Sequence, residues 1–541
     1  MKRIHLLVVL SILSVNLMFG QKSLQDEVTA NLQNLPFPSF AITVPTFPDK
    51  TFNILDAGAI GNGIYKNTEA INSTIDKCSK AGGGKVIIPA GLWCTGPIYM
   101  KSNVNLFLAE GAIVIFSSNL DDYPLIVDEN GKSNIPNLIN GSGLVNVAIT
   151  GSGIFNGNGQ DWRMVKKEKM NDREWKNYIK TGELSEDGKI WYPRVGTIAA
   201  MALLESKSKA ELTKEDMEKI KISLRPYMFA IENSKNVLVE GITLNNSPKF
   251  AMYAKGNESM VLHKVNVMNE WWAQNGDGLD ISICKNVLFL DCTVNTGDDG
   301  ICMKSAGAKK GEFKMENIVI KNCKVYHAHG GFVIGSNTDG NMRNIYVNNC
   351  SFSWTDSGIR VKSGTGRGGK VTNIFCDNIF MKDIDGEAIV FELVYEDKGA
   401  VKTKDSKIED EKVPDFDGFS FKNIFCDGAK VGVVIGGGDD AHVKNVTFQN
   451  MVIKSNDGVK ASYSENITMD NVNIICKSKP TFTLNKANGF TFKNMKDVPL
   501  EGSYVKVLEE ASKKIVIENS SIKAAQVEML NNASPKELII K

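Results

Sequence analysis

From about residue 230 onward, the chain repeats a phrase of alternating apolar and polar residues, each opened by Asn and divided by a polar pair. Asn286-Val-Leu-Phe-Leu-Asp-Cys-Thr-Val294 and Asn317-Ile-Val-Ile-Lys-Asn-Cys-Lys-Val325 are two copies. Starts at 286, 317, 344 and 373 are 31, 27 and 29 residues apart. The alternation predicts two short strands per copy with a polar corner between them. A repeat of this size built from strands alone predicts an all-β solenoid of stacked parallel strands.

The cysteines follow the same repeat. Cys292, Cys323 and Cys350 occupy one position of the phrase, and two later cysteines, Cys376 and Cys426, lie near it. Stacking predicts a buried ladder of thiols, because a free Cys behaves as a small hydrophobe. This interpretation is favoured over disulfides, although a Cys284–Cys302 or a Cys78–Cys94 bridge stays an open alternative.

Three segments depart from the repeat. Residues 67–78 have helical spacing of apolar positions and are expected to cap the open end of the solenoid. Residues 160–226 are charged and partly helical, with Thr213 and Asp216 in the spacing of a capping box, and are interpreted as one long insertion. Residues 397–413 are expected to form a shorter charged loop.

The N-terminus is typical of an export signal. Residues 1–20 combine a basic start with an apolar run, which predicts a secretory signal peptide; an uncleaved anchor is the alternative. Residues 21–50 are expected to form an N-terminal extension and residues 51–541 a single solenoid domain. The mature protein is therefore expected to be soluble and exported, either periplasmic or secreted.

The composition and the charge balance limit the classes of molecule that the protein can bind. The 541 residues are 42% hydrophobic and 23% charged, which excludes a largely disordered chain. Because 63 Lys and Arg balance 62 Asp and Glu, there is no overall field for nucleic acid or an anionic membrane. An anionic ligand must be bound by a local cluster, and we expect no nucleic-acid or membrane partner.

Aspartates form the first candidate for chemistry. Asp277 lies 21 residues before Asp298, close to one solenoid turn, so both are expected on adjacent strands of one face, about 4.8 Å apart. With Asp299 they crowd three carboxylates together, and at least one is expected to hold its proton to a higher pH. Such a group suits inverting hydrolysis of a glycosidic bond. Ordinary turns and a calcium site are the alternatives.

A histidine and two cations follow within the next turns. His329 precedes two glycines, which are expected to let a ligand approach closely. His327 and His329 also have His-x-His spacing, but nearby sequence offers no third His as a further metal ligand. Arg360 and Lys362 alternate on a predicted strand and point to one side, which suits a substrate carboxylate; a solvated basic face is the alternative. Together these clusters predict a groove that hydrolyses an acidic polysaccharide.

The same residues resemble the signatures of the polygalacturonases, glycoside hydrolase family 28. The family's Asn-Thr-Asp, Gly-Asp-Asp, Gly-His-Gly and Arg-Ile-Lys correspond here to Asn275-Gly-Asp277, Gly297-Asp298-Asp299, Ala328-His329-Gly330 and Arg360-Val-Lys362. Three of the four differ by one non-ionisable residue. The resemblance implies a right-handed parallel β-helix of the pectin lyase-like kind.

The resemblance also implies roles. Asp298 is expected to be the general acid, Asp277 and Asp299 to activate water, and His329 to support the acid or the substrate. Substrate binding is expected from six residues: Arg360, Lys362, Tyr395, Asn275, Lys304 and Arg367. The implied substrate is polygalacturonate or an oligogalacturonide, cut at α-1,4 linkages, with no metal or organic cofactor and a monomeric enzyme.

The mode of cleavage rests on residues 160–226. This insertion is expected to close one end of the groove, with Arg225 and Lys304 adding cations there, which favours exo over endo action. A rhamnogalacturonan hydrolase, a calcium-dependent pectate lyase and a non-catalytic carbohydrate-binding solenoid are the competing hypotheses.

Overall fold

The computed structural model describes residues 23–127, 133–208, 211–309, 311–395 and 412–541. The predicted signal peptide, residues 1–20, lies outside the described residues. So does the predicted charged loop at 397–413, apart from its last two residues.

The repeats form a parallel β-helix of 34 strands within the described residues. Three sheets run along it. Sheet 1 contains Ile98–Tyr99, Ile139–Ser142, Phe229–Glu232, Met252–Lys255, Leu279–Ser282, Asp299–Lys304, Gly330–Ile334, Ile359–Lys362, Val505–Leu508 and Val527–Leu530. Sheet 2 contains Thr51–Asn53, Gly84–Ile88, Val104–Leu108, Val145–Gly151, Lys235–Glu240, Glu258–His263, Lys285–Leu290, Met315–Lys321, Ile515–Glu518 and Leu538–Ile540. Sheet 3 contains Asn62–Lys66, Gly91–Thr95, Ala112–Phe116, Ile154–Asn156, Thr243–Asn245, Asn266–Met268, Thr293–Asn295 and Lys324–Tyr326.

Later coils run through the corners without a break. Single long strands there supply more than one sheet: Met342–Ser353, Lys370–Glu392, Asp415–Gly436, Val443–Ser455, Asp457–Cys476 and Phe482–Lys493. The predicted all-β parallel β-helix is confirmed, and its right-handed form agrees with the usual hand of parallel crossovers. The sequence phrase covers the strands of sheets 2 and 3 but gave no sign of the third strand in each coil, which lies in sheet 1.

The recurrent Asn has two structural reasons. Asn286, Asn317 and Asn344 all adopt positive φ, between 56° and 61°, where Asn is tolerated better than most residues. Their side-chain amides also form a ladder, since Asn317 Nδ2 donates to Asn286 Oδ1 at 2.9 Å and Asn344 Nδ2 donates to Asn317 Oδ1 at 3.0 Å. The ladder satisfies polar groups at a bend that every coil repeats.

The core between the sheets is continuous and apolar. Cys292, Cys323 and Cys350 stack in register, as predicted, and Ile379 and Ile424 continue the column. Cys376 lies three residues from the column position, so it and Cys426 are outside the ladder. All ten cysteines are free thiols, so neither alternative disulfide is formed.

Helices lie at the N-terminal end and in the insertion. α1 (Leu24–Asn31) packs on sheet 2, and α2 (Thr68–Lys80) caps the core with Ile71 and Ile75 fully buried, as predicted. The insertion contains α3 (Asp172–Tyr178), α4 (Thr197–Ser206) and α5 (Lys214–Ile220). Thr213 and Asp216 form the predicted capping box of α5. No helix in the described ranges is long and apolar enough to cross a membrane.

Short elements complete the chain. Antiparallel strands are Val165–Lys166, Glu183–Leu184 and Ile190–Tyr192 in the insertion, and the pair Ile126–Val127 and Ser133–Asn134. Single 3-10 turns occupy Ile54–Ala57, Leu120–Asp122, Gly159–Asp161, Lys167–Lys169, Lys221–Ser223, Ala524–Gln526 and Pro535–Glu537. The division into an extension at 21–50 and one catalytic domain at 51–541 stays a prediction.

Candidate active site

The predicted acidic residues lie together at the N-terminal ends of neighbouring strands of sheet 1. Asp277 lies just before Leu279–Ser282, and Asp299 opens the next strand, Asp299–Lys304. The register pairs Leu279 with Ile301, which brings Asp277 level with Asp299 on adjacent coils. One coil here is therefore 22 residues, and Asp298 stands one residue from the paired position.

Asp277, Asp298 and Asp299 each offer a carboxylate oxygen within 4.8 Å of the other two. One water can span such a gap, because two hydrogen bonds of about 2.8 Å at a tetrahedral angle reach about 4.6 Å. Asp277 Oδ1 is buried without a hydrogen-bond partner, so it is free to accept from such a water. Asp298 is the most accessible of the three, with 14% of its side chain exposed.

The surroundings of Asp277 and Asp299 shift their pKa values in opposite directions. Burial raises the pKa of Asp277 well above its usual range, and the neighbouring Asp280 and Asp298 charges add to the rise. Burial opposes ionisation of Asp299 too, but Lys362 and Lys304 outweigh it and hold the pKa of Asp299 at about 2. Asp299 is thus the ionised member of the pair, and Asp277 is the carboxyl predicted to hold its proton to higher pH.

Lys304 lies beneath the aspartates rather than free in the groove. Its Nζ is 3.5 Å from Asp277 Oδ2 and forms a short contact with Asp280 Oδ2. Burial lowers the pKa of Lys304, but these carboxylates raise it further than burial lowers it. Its predicted contact with substrate stays untested, and its visible partners are the acidic cluster.

Asp280 is the functional residue whose role the sequence did not reveal. Its side chain is fully buried on sheet 1, and burial raises its pKa to about 6 against the opposing charge of Lys304. The charge of Asp280 adds to the rise in the pKa of Asp277, and Lys304 contacts both carboxylates. The Asp277-Gly-Leu-Asp280 spacing was the available signal, but a pairing between neighbouring coils depends on register.

Lys362 forms a buried ion pair with Asp299. It lies on Ile359–Lys362, two coils beyond Asp299, and its Nζ is 2.9 Å from Asp299 Oδ2 and 3.2 Å from Oδ1. The side chains of Lys362 and Asp299 are 8% and 4% exposed. Lys362 thus neutralises Asp299 directly, in addition to its predicted, untested contact with a substrate carboxylate.

His329 contacts the proposed acid. Its Nδ1 is 3.1 Å from Asp298 Oδ1, and its Nε2 is 3.7 Å from Asp356 Oδ2. Burial opposes protonation, yet the hydrogen bond to Asp298 and both carboxylate charges raise the pKa of His329. His327 instead lies at a corner with positive φ and stacks on Trp354 at 5.4 Å. The His-x-His pair therefore does not converge on a metal.

The glycines after His329 serve a different purpose from the one predicted. A Cβ on Gly331 would lie 2.3 Å from the Phe352 ring, and one on Gly330 would lie 2.5 Å from Val333. Core packing demands Gly331, so the expectation that both glycines admit ligand is wrong for that position. Gly330 is level with Asp299, and a Cβ there would also lie 3.4 Å from Arg360 Cβ.

Three cations surround one aromatic ring beside the aspartates. Arg360, Lys362 and Arg367 lie 5.2, 5.2 and 5.4 Å from the centre of the Tyr395 ring. Arg367 Nη2 also donates to the Tyr395 carbonyl at 2.6 Å, and Arg360 Nη2 is 3.3 Å from Glu392. The structure thus brings together these four predicted substrate-binding residues in a positive patch. Their contact with substrate stays a prediction.

The insertion braces the loop that carries Asp277. Arg225 donates to the Gln274 carbonyl and to Asn275 Oδ1, each at 2.8 Å. Arg163 forms an ion pair with Glu270 at 2.5 Å. Asn275, predicted to contact substrate, has its amide oxygen engaged by Arg225, and its positive φ fits a tight turn. The insertion therefore adjoins the active site, and Arg225 fixes its loop.

The carboxylates also resemble a cation site, but ammonium groups contact both oxygens of Asp299 and one oxygen of Asp277. Lys362 contacts both oxygens of Asp299, while Lys304 lies beside Asp277 and Asp280. Calcium prefers six to eight oxygen ligands, which this arrangement does not offer. The residues fit proton transfer to and from a substrate better than metal binding.

Comparison with known proteins agrees with this chemistry. Residues 208–473, which contain the whole aspartate, histidine and cation cluster, match the family described as glycosyl hydrolases family 28. The chain belongs to glycosyl hydrolases family 28 through this segment. The predicted family is therefore confirmed.

Individual relatives are distant. The chain is 26% identical over 74% of its length to an exo-poly-alpha-D-galacturonosidase of Dickeya chrysanthemi. An endo-polygalacturonase of Pectobacterium carotovorum is 26% identical over 72% of the chain and 85% of its own length. An exopolygalacturonase structure from Thermotoga maritima superposes with a TM-score of 0.66 at 26% identity, covering 84% of this chain and 96% of that one. The chain spans 65% of the length of the Dickeya protein.

Proposed function

We propose that this glycoside hydrolase cleaves α-1,4 linkages of polygalacturonate or oligogalacturonides. The observation that carries the proposal is the contiguity of an acid–histidine pair, Asp298 and His329, with the positive patch of Arg360, Lys362, Arg367 and Tyr395. The patch supplies the planar guanidinium groups of two arginines and the ammonium group of Lys362, which can bind a uronate carboxylate. The neighbouring carboxyls supply acid and base.

In the proposed mechanism, Asp298 donates its proton to the leaving glycosidic oxygen. It is the most accessible of the three aspartates, and the His329 imidazolium stabilises the carboxylate that forms. Asp299 takes a proton from a water held between it and Asp277, and this water attacks the anomeric carbon. Attack opposite the leaving group inverts that centre. The anomer formed first, followed by proton NMR, tests the inversion.

We further propose exo action with release of monogalacturonate. Support comes from the insertion, which packs against the loop of Asp277 through Arg163 and Arg225. Both an exo-acting and an endo-acting protein are among the relatives described above. An endo enzyme would release a series of oligomers early, whereas a pocket releases monomer from the outset.

The decisive experiment follows reducing ends and products on polygalacturonate over time, with Asp298→Asn as the matched control. Monogalacturonate from the wild type and none from the variant is the expected result. Cleavage by Asp298→Asn at a comparable rate would remove Asp298 as the acid. Activity unchanged by a calcium chelator separates this proposal from a pectate lyase.

We also propose that the protein is exported and acts outside the cytoplasm as a monomer. The basic and apolar pattern of residues 1–20 supports export. A polymeric substrate also favours action outside the cytoplasm. Cell fractionation with N-terminal sequencing of the mature protein tests it.

A further inference from the structure

A second cluster of titratable side chains lies outside the active site, where α1 packs on sheet 2. His263 ends the strand Glu258–His263 and is 3% exposed. Its Nε2 is 3.9 Å from Glu27 Oε1 on α1 and 3.9 Å from Asp291 Oδ2. Ligand atoms of Glu27, His263 and Asp291 all lie within 4.8 Å of one another.

The hydrogen bonding of His263 defines its free nitrogen. Nδ1 lies 2.9 Å from Glu240 Oε1. A carboxylate only accepts, so Nδ1 carries the proton of a neutral ring and Nε2 presents a lone pair. Nε2 is buried and has no hydrogen-bond partner among the described residues. A lone pair facing two carboxylates is repulsive, and it requires a positive charge between them.

The surrounding groups are those of a supported metal ligand set. A carboxylate on the far nitrogen of a ligating His fixes its ring and tautomer, and Glu240 holds this place. Asp291 Oδ1 accepts from Asn322 Nδ2 at 3.0 Å, which leaves Oδ2 for the cluster. Lys321 is the neighbouring cation, and its Nζ donates to the Asn31 carbonyl at 2.6 Å, at the end of α1.

We propose that Glu27, His263 and Asp291 bind a divalent transition-metal ion of the Zn²⁺ type, which fastens α1 to sheet 2. One imidazole and two carboxylates suit such an ion, with water as the remaining ligand. Tetrahedral bonds of about 2.0–2.1 Å place ligand atoms about 3.4 Å apart. The present 3.9 Å separations therefore need to contract by only about half an ångström.

Packing brings Glu27 to this place independently of any ion. Val28 of α1 and Leu32, which directly follows that helix, are buried against Leu238, Val261 and Leu288 of sheet 2. The site is thus assembled by the apolar contact, and the ion adds a link between the N-terminal segment and the β-helix. Glu27 is 38% exposed, so an ion can reach the cluster from solvent.

The test uses the full-length protein after dialysis against a chelator, with Zn²⁺ alone as the probe. Calorimetric titration measures stoichiometry and affinity for the wild type and for His263→Gln and Glu27→Gln. The matched control is His442→Gln, which removes another imidazole with an Nδ1–carboxylate contact, 2.6 Å from Glu465. Hydrogen exchange of the α1 amides, with and without Zn²⁺, reports on the link.

We expect one Zn²⁺ per chain for the wild type and His442→Gln, and at least a tenfold weaker affinity for His263→Gln and Glu27→Gln. Zn²⁺ should slow hydrogen exchange of the α1 amides in the wild type and should not slow it in either of the two site variants. Glu27→Gln perturbs only a partly exposed helix position, so it tests the site even if His263→Gln folds poorly. Absence of stoichiometric binding, or equal binding by the site variants, would overturn the proposal, and α1 protection that responds only to pH would assign the cluster to an imidazolium instead.

Discussion

Substitution of Lys362 by Met removes the ammonium that lies within 3.2 Å of both Asp299 oxygens but keeps most of the side-chain volume. In the proposed mechanism Asp299 must be ionised to accept a proton from water. The substitution therefore tests whether Lys362 keeps that base ionised, which a purely substrate-binding role does not require.

The expected magnitude follows from the burial of this pair. Breaking a buried ion pair by removing one partner costs about 3–5 kcal/mol. We take the lower end, because Lys304 and Arg360 continue to act on Asp299. At 1.36 kcal/mol per pKa unit, about 3 kcal/mol corresponds to about two units. The pKa of Asp299, about 2 in the wild type, should rise to about 4 in the variant.

The direction in which the substitution changes stability, and the pH at which it does so, also follow from this pKa. A folded-state pKa below the unfolded value contributes stability above the unfolded pKa, and that contribution is lost as pH falls towards 2. Removing Lys362 removes this contribution, so the variant should unfold more easily at pH 7 and lose less additional stability on acidification than the wild type.

The assay is the pH dependence of kcat/KM on trigalacturonate, together with thermal unfolding. Substrate ionisation is common to both enzymes and cancels in the comparison. Lys285→Met is the matched control, since Lys285 pairs with Glu316 at 3.0 Å but is 43% exposed. Such a surface pair contributes about 0–1 kcal/mol.

The acidic limb of Lys362→Met should lie at higher pH than that of the wild type, and kcat should fall as well as KM rise. An acidic limb unchanged from the wild type, with stability equal to that of Lys285→Met, would refute the reasoning.

Other consequences are equally specific. Asp298→Asn should lower kcat by at least about 10²–10⁴-fold with the Tm little changed, because it removes the proposed acid; near-normal turnover would contradict this. His329→Gln should lower kcat about 10²-fold and abolish the alkaline limb that follows loss of the imidazolium, whose pKa Asp298 raises; an identical alkaline limb in a kcat profile would argue against the pairing. Arg225→Met should lower kcat/KM at least about tenfold by releasing Asn275 and Gln274, each held at 2.8 Å, whereas unaltered steady-state kinetics would show that the insertion does not position the loop.

Much of the fold could be predicted from the sequence because every coil repeats the same local pattern of residues. Asn at a positive-φ corner and alternating apolar residues recur at each turn, so the period and the parallel stacking followed. The strands of sheet 1 lie outside the repeated phrase, because loops of variable length separate them from it. The strand of Arg360 and Lys362 was predicted from its own alternation. Cys376 was placed near the thiol ladder because only the register shows its offset of three residues.

The site was predictable where chemistry sits in short motifs and unpredictable where it depends on contacts between coils. Asp277, Asp298, Asp299 and His329 do converge. The pairing of Lys304 with Asp280, and of Lys362 with Asp299 two coils away, needed the stacking geometry. These ion pairs decide which carboxyl is ionised, so proton roles could not be assigned from sequence alone.

The central claim is that one groove binds a negatively charged sugar through its cationic side chains and cleaves it with the adjacent aspartates. The most direct measurement compares kcat/KM for an oligogalacturonide with that for the same oligosaccharide after its carboxyl groups have been reduced to neutral alcohols. The account predicts at least about a 10³-fold preference for the acidic substrate, because the buried cations would otherwise stay unpaired. Equal cleavage of the two substrates, or cleavage of neither, would contradict it.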